Sequence, residues 1–312
     1  GAAAAGIKAV QWGKITTIVS SWVVSPVMSG VIAFCIFMFI RHFILENENP
    51  FGALRILAPV LVFAVFNVIF LVTTFKGLKN LHLDLSFEMA SLISISISLA
   101  LALLSWLWIG HQVKEAEEMS RLELQRETKE LEMGGTSRDF RVIEKIFVSL
   151  QILSACAVAF AHGANDVANT VGPVATVWEI ARTGVVAAQV MVHPALLAIG
   201  GIGIVVGLAT WGWRIIETVG SKITDLTPTR GFSAEFGAAC TILIGSRMGL
   251  PLSTTHCLVG AVIGVGMARG MTSINLGMIR QILMSWVFTV PAAAIISILS
   301  FYGLLLAFGP SF

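Results

Sequence analysis

Charge is scarce in this 312-residue chain: Lys and Arg number 20 and Asp and Glu 18, together 12% of the residues, against about a quarter in an ordinary soluble domain. With 56% hydrophobic residues and a mean hydropathy of +0.87, that shortage excludes a water-soluble globular class and predicts a membrane protein. The net charge of +2 is too small and too scattered for a nucleic-acid partner, and no basic run forms a lipid-binding or import patch. Cysteine is sparse as well. Cys35, Cys156, Cys240 and Cys257 stand singly in apolar surroundings, without the close pairing that zinc or redox motifs require, and are expected to be packing residues. In place of a basic stretch and a short apolar core the chain opens on Gly1 and a run of alanines, which predicts no signal peptide and a truncated start.

The charges that are present cluster. Lys114 to Lys145 holds 16 of the 38, so two apolar blocks flank one polar insert. A bilayer core of about 30 Å needs roughly 20 apolar residues of helix. Ile15 to Leu45, Leu54 to Thr74, Phe87 to Trp108, Ile146 to about Val177, Leu196 to Trp213, Gly231 to Met267 and Met278 to Phe308 meet that need, for about eight membrane elements in all. Continuous spans of this length are helices, because lipid leaves no partner for unpaired backbone groups. The expected fold class is therefore an all-α, polytopic helical membrane protein. Its expected parts are membrane helices over 1–111, a charged loop over 112–145 and a second membrane unit over 146–312. The insert should be a solvated helix ending at Gly134-Gly135. Arg41, Arg55 and the insert's seven Lys and Arg share one side, against Lys8, Lys14, Lys76 and Lys79 opposite. That excess places the insert in the cytoplasm.

The start of the chain resembles its end. At an offset of 264, Gly6, Gly13, Ile15, Ile18, Ser21, Trp22 and Val23 match Gly270, Gly277, Ile279, Ile282, Ser285, Trp286 and Val287. If Gly6 to Val23 closes a first unit, the earlier parts of that unit are expected before Gly1. Long duplications of this kind are typical of transporters, whose sites form where repeats meet.

Two segments carry chemistry. Ala161-His-Gly-Ala-Asn-Asp-Val-Ala-Asn-Thr-Val-Gly-Pro173 sets a carboxylate and two carboxamides in an apolar span, where they cost several kcal/mol unless they face protein or a cavity. Helical spacing brings Asn165, Asp166 and Asn169 together, and Gly163 and Gly172-Pro173 are expected to break the helix on either side and free carbonyl oxygens for a cation. In Gly249-Leu-Pro-Leu-Ser-Thr-Thr-His256, Pro251 cannot continue a preceding helix and Ser253 to Thr255 suit the start of the next one. Two half-helices meeting inside the membrane are predicted, a re-entrant hairpin whose tip offers free N–H groups, a helix dipole and hydroxyls to an anion. Glu235 opens the same segment and is a second candidate for coupling. His256 is expected to be a satisfied packing residue, Lys222, Asp225 and Arg230 to be solvated, and most of the eight tryptophans to lie near span ends.

Gly163-Ala-Asn-Asp-Val-Ala-Asn169, Gly249-Leu-Pro-Leu-Ser-Thr-Thr-His256 and Thr227-Pro-Thr-Arg-Gly-Phe232 followed by Glu235 resemble the signatures of the inorganic phosphate transporter (PiT) family in order and spacing. The resemblance implies two related halves in inverted orientation, of which this chain carries the second and the end of the first. It implies phosphate binding by Ser253, Thr254, Thr255, Asn169 and Asp166, and cation binding or coupling by Asp166, Asn165, Asn169 and Glu235.

The expectation is a secondary transporter of inorganic phosphate with no catalytic residues and no cofactor beyond the coupling ion. Sodium held at Asn165, Asp166 and Asn169 is favoured over a proton, because a proton would not need the flanking asparagines. Expected partners are phosphate, sodium, membrane lipid and the first half of the same transporter, with self-association left open. The expected site is a bacterial inner (plasma) membrane. The alternatives are a membrane-embedded phosphate-ester hydrolase, with Ser253 or His256 attacking and Asp166 assisting, and a non-transporting fragment.

Overall fold

The computed structural model describes residues 6–73, 86–127, 136–184, 190 and 192–309, and among them every regular element is helical. The elements in chain order are α1 Trp12–Ile40, α2 Pro50–Val72, α3 Phe87–Glu127, α4 Thr136–Thr183, α5 Pro194–Lys222, α6 Pro228–Arg247, α7 Thr254–Arg269 and α8 Leu276–Phe308. A π-helical turn extends α1 to Leu45, and two more interrupt α5 at Leu208–Gly212 and Thr218–Lys222. Starts are locally encoded: Asn49 and Asn275 accept a backbone N–H as N-caps, and Pro follows the N-cap of α2, α5 and α6, where its missing N–H costs nothing.

Six of these helices, α1 to α5 and α8, are long and apolar enough to cross a membrane. The other two, of 20 and 16 residues, span about 30 and 24 Å of rise and fold back as a hairpin. Both feet of the hairpin meet at one carbonyl: Arg230 Nη1 donates to Asp225 O at 3.1 Å and Arg269 Nη1 donates to it at 3.3 Å. Its tip, Gly249 to Ser253, lies against Ser21 of α1 and the middle of α4. A segment that enters and leaves on one side and turns inside the bundle is re-entrant, as the proline and the Ser-Thr caps predicted. Six spans and two half-helices make up the eight membrane elements.

The hairpin is locked by close packing against α1. Ser21, Ser25, Ser29 and Ala33 recur every four residues along α1 and are buried. On α7, a Cβ at Gly264 would collide with the Gly30 carbonyl and one at Gly260 with the Pro26 carbonyl. Small residues at such a seam let backbones approach, the source of attraction where lipid removes the hydrophobic driving force. Beyond the seam, Phe147, Phe232 and Phe236 join α4 to α6 within one apolar cluster. By contrast α8 buries no residue along its 33.

Three expectations are corrected. The helix does not break around the Asn-Asp motif: α4 runs unbroken through Gly163 and Gly172-Pro173. Pro173 removes one backbone bond, the one the Asn169 carbonyl would accept, and the helix continues past it; the Thr170 and Thr176 hydroxyls fold back onto the carbonyls of Asp166 and Gly172 at 2.8 and 3.0 Å. Cys257 is buried, but Cys35 and Cys156 are exposed, so those two do not pack the interior. The insert's helix is the continuation of α3 to Glu127 and not a separate element; Gly134-Gly135 lies outside the described residues.

The α1–α7 seam predicts that Gly264→Ala destabilises the protein by about 1–3 kcal/mol through overpacking. Gly203→Ala, where an added Cβ meets nothing within 4 Å, should be neutral or stabilise by up to about 1 kcal/mol. Thermal unfolding in detergent checks both, and equal effects at the two positions would contradict the close approach.

Candidate phosphate and cation site

Asp166 is the centre of the polar cluster. It sits midway along the apolar stretch of α4, Ile143–Thr183, facing the hairpin tip. Its Oδ1 accepts from Thr254 Oγ1 at 3.2 Å and from Asn165 Nδ2 at 3.3 Å, and Thr254 Oγ1 also lies 3.5 Å from Oδ2. Asn165 Nδ2 also reaches Leu252 O at 3.4 Å. The carboxylate and its neighbour thus tie α4 to the turn that starts α7. Ser21 Oγ completes the attachment, donating to Pro251 O at 2.8 Å.

Ser253 is the N-cap of α7 and its Oγ accepts the His256 N–H at 3.4 Å. The N–H groups of Thr254 and Thr255, the first two residues of the helix, have no intrahelical acceptor. They point with the helix dipole toward a cavity of 390 Å³ lined by Trp22, Asp166, Asn169, Thr170 and Pro251 to Thr255. Five of the predicted site residues, Asp166, Asn169, Ser253, Thr254 and Thr255, therefore share one chamber. Asn165 is buried behind it. Glu235 is elsewhere: it lies in the seam between α4 and α6, where Ser154 Oγ donates to its Oε2 at 2.5 Å. Ser154 precedes Asp166 by twelve residues, about 18 Å of helix.

His162, Glu144 and Trp22 were not singled out as functional from sequence. His162 Nε2 lies 2.6 Å from Asp166 Oδ2, four residues along the same helix face; the i,i+4 spacing was the available signal. Glu144 is buried and caps α6, accepting from Thr229 N at 2.8 Å and Thr229 Oγ1 at 2.7 Å; nothing local announces a contact 85 residues away. Trp22 lines the chamber, while its repeat-mate Trp286 stacks on His256 at 3.6 Å between ring centroids. Those two tryptophans lie away from the span ends, and His256 packs on Trp286 as expected, but its buried Nδ1 has no hydrogen-bond partner among the described residues. Arg230 is half-buried, engaged with the Asp225 carbonyl and not simply solvated.

A cysteine placed at Ser253, half-buried at the tip, in a cysteine-free background should react with a charged thiol reagent more slowly than one at Glu48, an exposed loop position. Equal rates would contradict a tip held within the bundle.

Residues 1–297 match the phosphate transporter family. A protein of Chlamydia pneumoniae, provisionally named a phosphate permease, is 40% identical over 295 residues, covering 95% of this chain and 68% of that protein. An Arabidopsis thaliana relative, inorganic phosphate transporter 2-1 of the chloroplast, is 37% identical over 299 residues, covering 94% of this chain and 50% of its own. A solved structure described as the sodium-dependent phosphate transporter superposes with a TM-score of 0.80 at 36% identity, covering 98% of this chain and 70% of that one. An unbroken α4 with a carboxylate facing a re-entrant Ser-Thr-Thr tip, in a six-span bundle that superposes on that structure, agrees with the sequence match: the chain is an integral, multi-pass membrane protein that belongs to the phosphate transporter family.

Proposed function

We propose that this chain forms the greater part of a sodium-coupled transporter of inorganic phosphate. The observation that carries the reading is the chamber itself, in which the N-terminus of α7 and three hydroxyl residues face Asp166. The tip suits phosphate: free N–H groups, a positive dipole end and Ser253, Thr254 and Thr255. The carboxylate opposes it. Two such anions about 4 Å apart repel by roughly 4 kcal/mol at an effective dielectric of 20, so a cation held by Asp166 and Asn169, with Asn165 behind them, lets phosphate enter. Carboxylate, carboxamide and hydroxyl oxygens are hard donors, fitted to sodium and poorly fitted to soft transition metals. Sodium then favours phosphate and phosphate favours sodium by the same free energy, which is the linkage that coupled transport needs. The sodium dependence named for the solved relative supports this choice of ion over a proton.

Glu235 acts in this scheme through the α4–α6 seam, outside the chamber. The inverted-repeat reading is supported by helix direction. The C-terminal end of α1 reaches the hairpin's feet, Arg41 Nη1 donating to Ala268 O at 3.5 Å, while α8 starts beside them, Asn275 N donating to Ile223 O at 2.9 Å. The two helices that carry the matched Ser-Trp-Val thus run in opposite senses. A second Asn-Asp and Ser-Thr-Thr pair belongs opposite the first, and the relatives, longer than the matched region, have room for it. The side of the hairpin's feet is the cytoplasmic one of a bacterial inner membrane.

The ester-hydrolase alternative is less well served, since Ser253 Oγ is engaged as a cap and the His256 ring is stacked on Trp286, which forms no nucleophile–base pair. Labelled-phosphate uptake by proteoliposomes containing the full-length protein should require a sodium gradient; ester cleavage without uptake would overturn the transporter reading. Asp166→Asn removes an attraction of roughly 4 kcal/mol, so sodium should bind about 1,000-fold more weakly and phosphate binding should no longer rise with sodium. A variant with the parent's sodium dependence would exclude Asp166 as the cation ligand.

A further inference from the structure

Asp166 is held from two directions. Thr254 and Asn165 reach Oδ1 from the tip and from the adjoining residue, at 3.2 and 3.3 Å. His162 reaches Oδ2 from one turn back along α4, and at 2.6 Å it is the shortest polar contact in the cluster. An ionised carboxylate only accepts hydrogen bonds, so the imidazole must carry its proton on Nε2 at this contact. The bond holds whether or not the ring is charged.

We propose that His162 is the positioning residue for the cation site: by occupying Oδ2 it fixes the Asp166 carboxylate so that the Oδ1 edge faces Thr254 and the chamber. The inference rests on the reading of Asp166 as the sodium ligand. Without the imidazole, Oδ2 loses its short donor, and the carboxylate is left with Thr254, whose hydroxyl lies 3.2 Å from one oxygen and 3.5 Å from the other, and with the Asn165 amide at 3.3 Å. Two long contacts, one of them nearly shared between the two oxygens, hold the side chain less firmly than three, and it can turn about χ2. Groups that orient a metal ligand from behind set its affinity without touching the ion, and their loss costs about 10- to 100-fold. His162 is half-buried and is not among the residues lining the chamber, which separates its role from direct contact with phosphate.

The test uses full-length protein in proteoliposomes at one fixed pH, with phosphate binding followed as sodium is titrated. His162→Ala should raise the sodium concentration for half-maximal binding by about 10- to 100-fold, while phosphate affinity at saturating sodium stays within about threefold of the parent. His162→Gln keeps an amide N–H near the place of Nε2 and should restore the sodium requirement to within about threefold. If the alanine variant does not reconstitute, His162→Asn, whose amide is too short to reach Oδ2, takes its place. A sodium requirement unchanged in His162→Ala overturns the proposal, as does a glutamine variant impaired as much as alanine, which would point to ring packing. Asp166→Asn run in parallel separates the two ideas. Loss of sodium dependence there with none in His162→Ala defeats only the positioning role, whereas sodium dependence retained in Asp166→Asn defeats the ligand reading and the positioning role together.

Discussion

A helix that stops in the middle of a membrane leaves backbone groups that lipid cannot pair, and the arrangement of this protein answers that constraint at one place. The carbonyl of Pro251 accepts the Ser21 hydroxyl, the carbonyl of Leu252 accepts the Asn165 amide, and the Thr254 hydroxyl donates to Asp166. One contact joins the tip to α1 and two join it to adjoining residues of α4. The serine stripe on α1 and the glycines of α7 run from the tip toward the hairpin's feet and let the two backbones approach along that length. A bulkier seam would hold the tip away from its partners.

The same bonds set the electrostatics. Asp166 stands at the positive end of α7, where a carboxylate gains about 0.3–1 kcal/mol and up to about 2 when partly buried. In the proposed transporter the tip's field is therefore directed at Asp166 in the absence of a cation, and sodium on that carboxylate turns the field toward phosphate. One interaction serves both to hold the hairpin and to couple its ligands.

At the opposite end the hairpin's feet are tied as a unit. Asp225 O gathers Arg230 and Arg269, and Glu144 caps α6 from the start of α4's apolar stretch. Glu235, further along the same seam, bonds Ser154 on α4. The hairpin is thus fastened to α4 at its foot, its middle and its tip. Separating the hairpin from α4 as a whole would have to break contacts at all three levels.

Composition and local chemistry by themselves determined the class of this protein: scarce charge, long apolar runs and backbone pairing in lipid leave only helices. Pro251 and the Ser-Thr caps determined the hairpin for a similar reason, since they act on their own backbone. The Asn-Asp and Ser-Thr-Thr motifs were also legible as site residues, because polar groups in an apolar span must face something. What they face was decided by tertiary structure. The meeting of Asp166 with Thr254, across 88 positions, depends on how α7 packs on α1, and no local rule sets that. The continuity of α4 through Pro173 was not legible either, because a proline removes one backbone bond without fixing whether the helix around it persists. Glu235 was legible as an unusual charge but its separation from the chamber was not, because period and spacing give a residue's face and not its partner. His162 lay between these cases: its spacing to Asp166 is local, but only the orientation of both side chains made the pair.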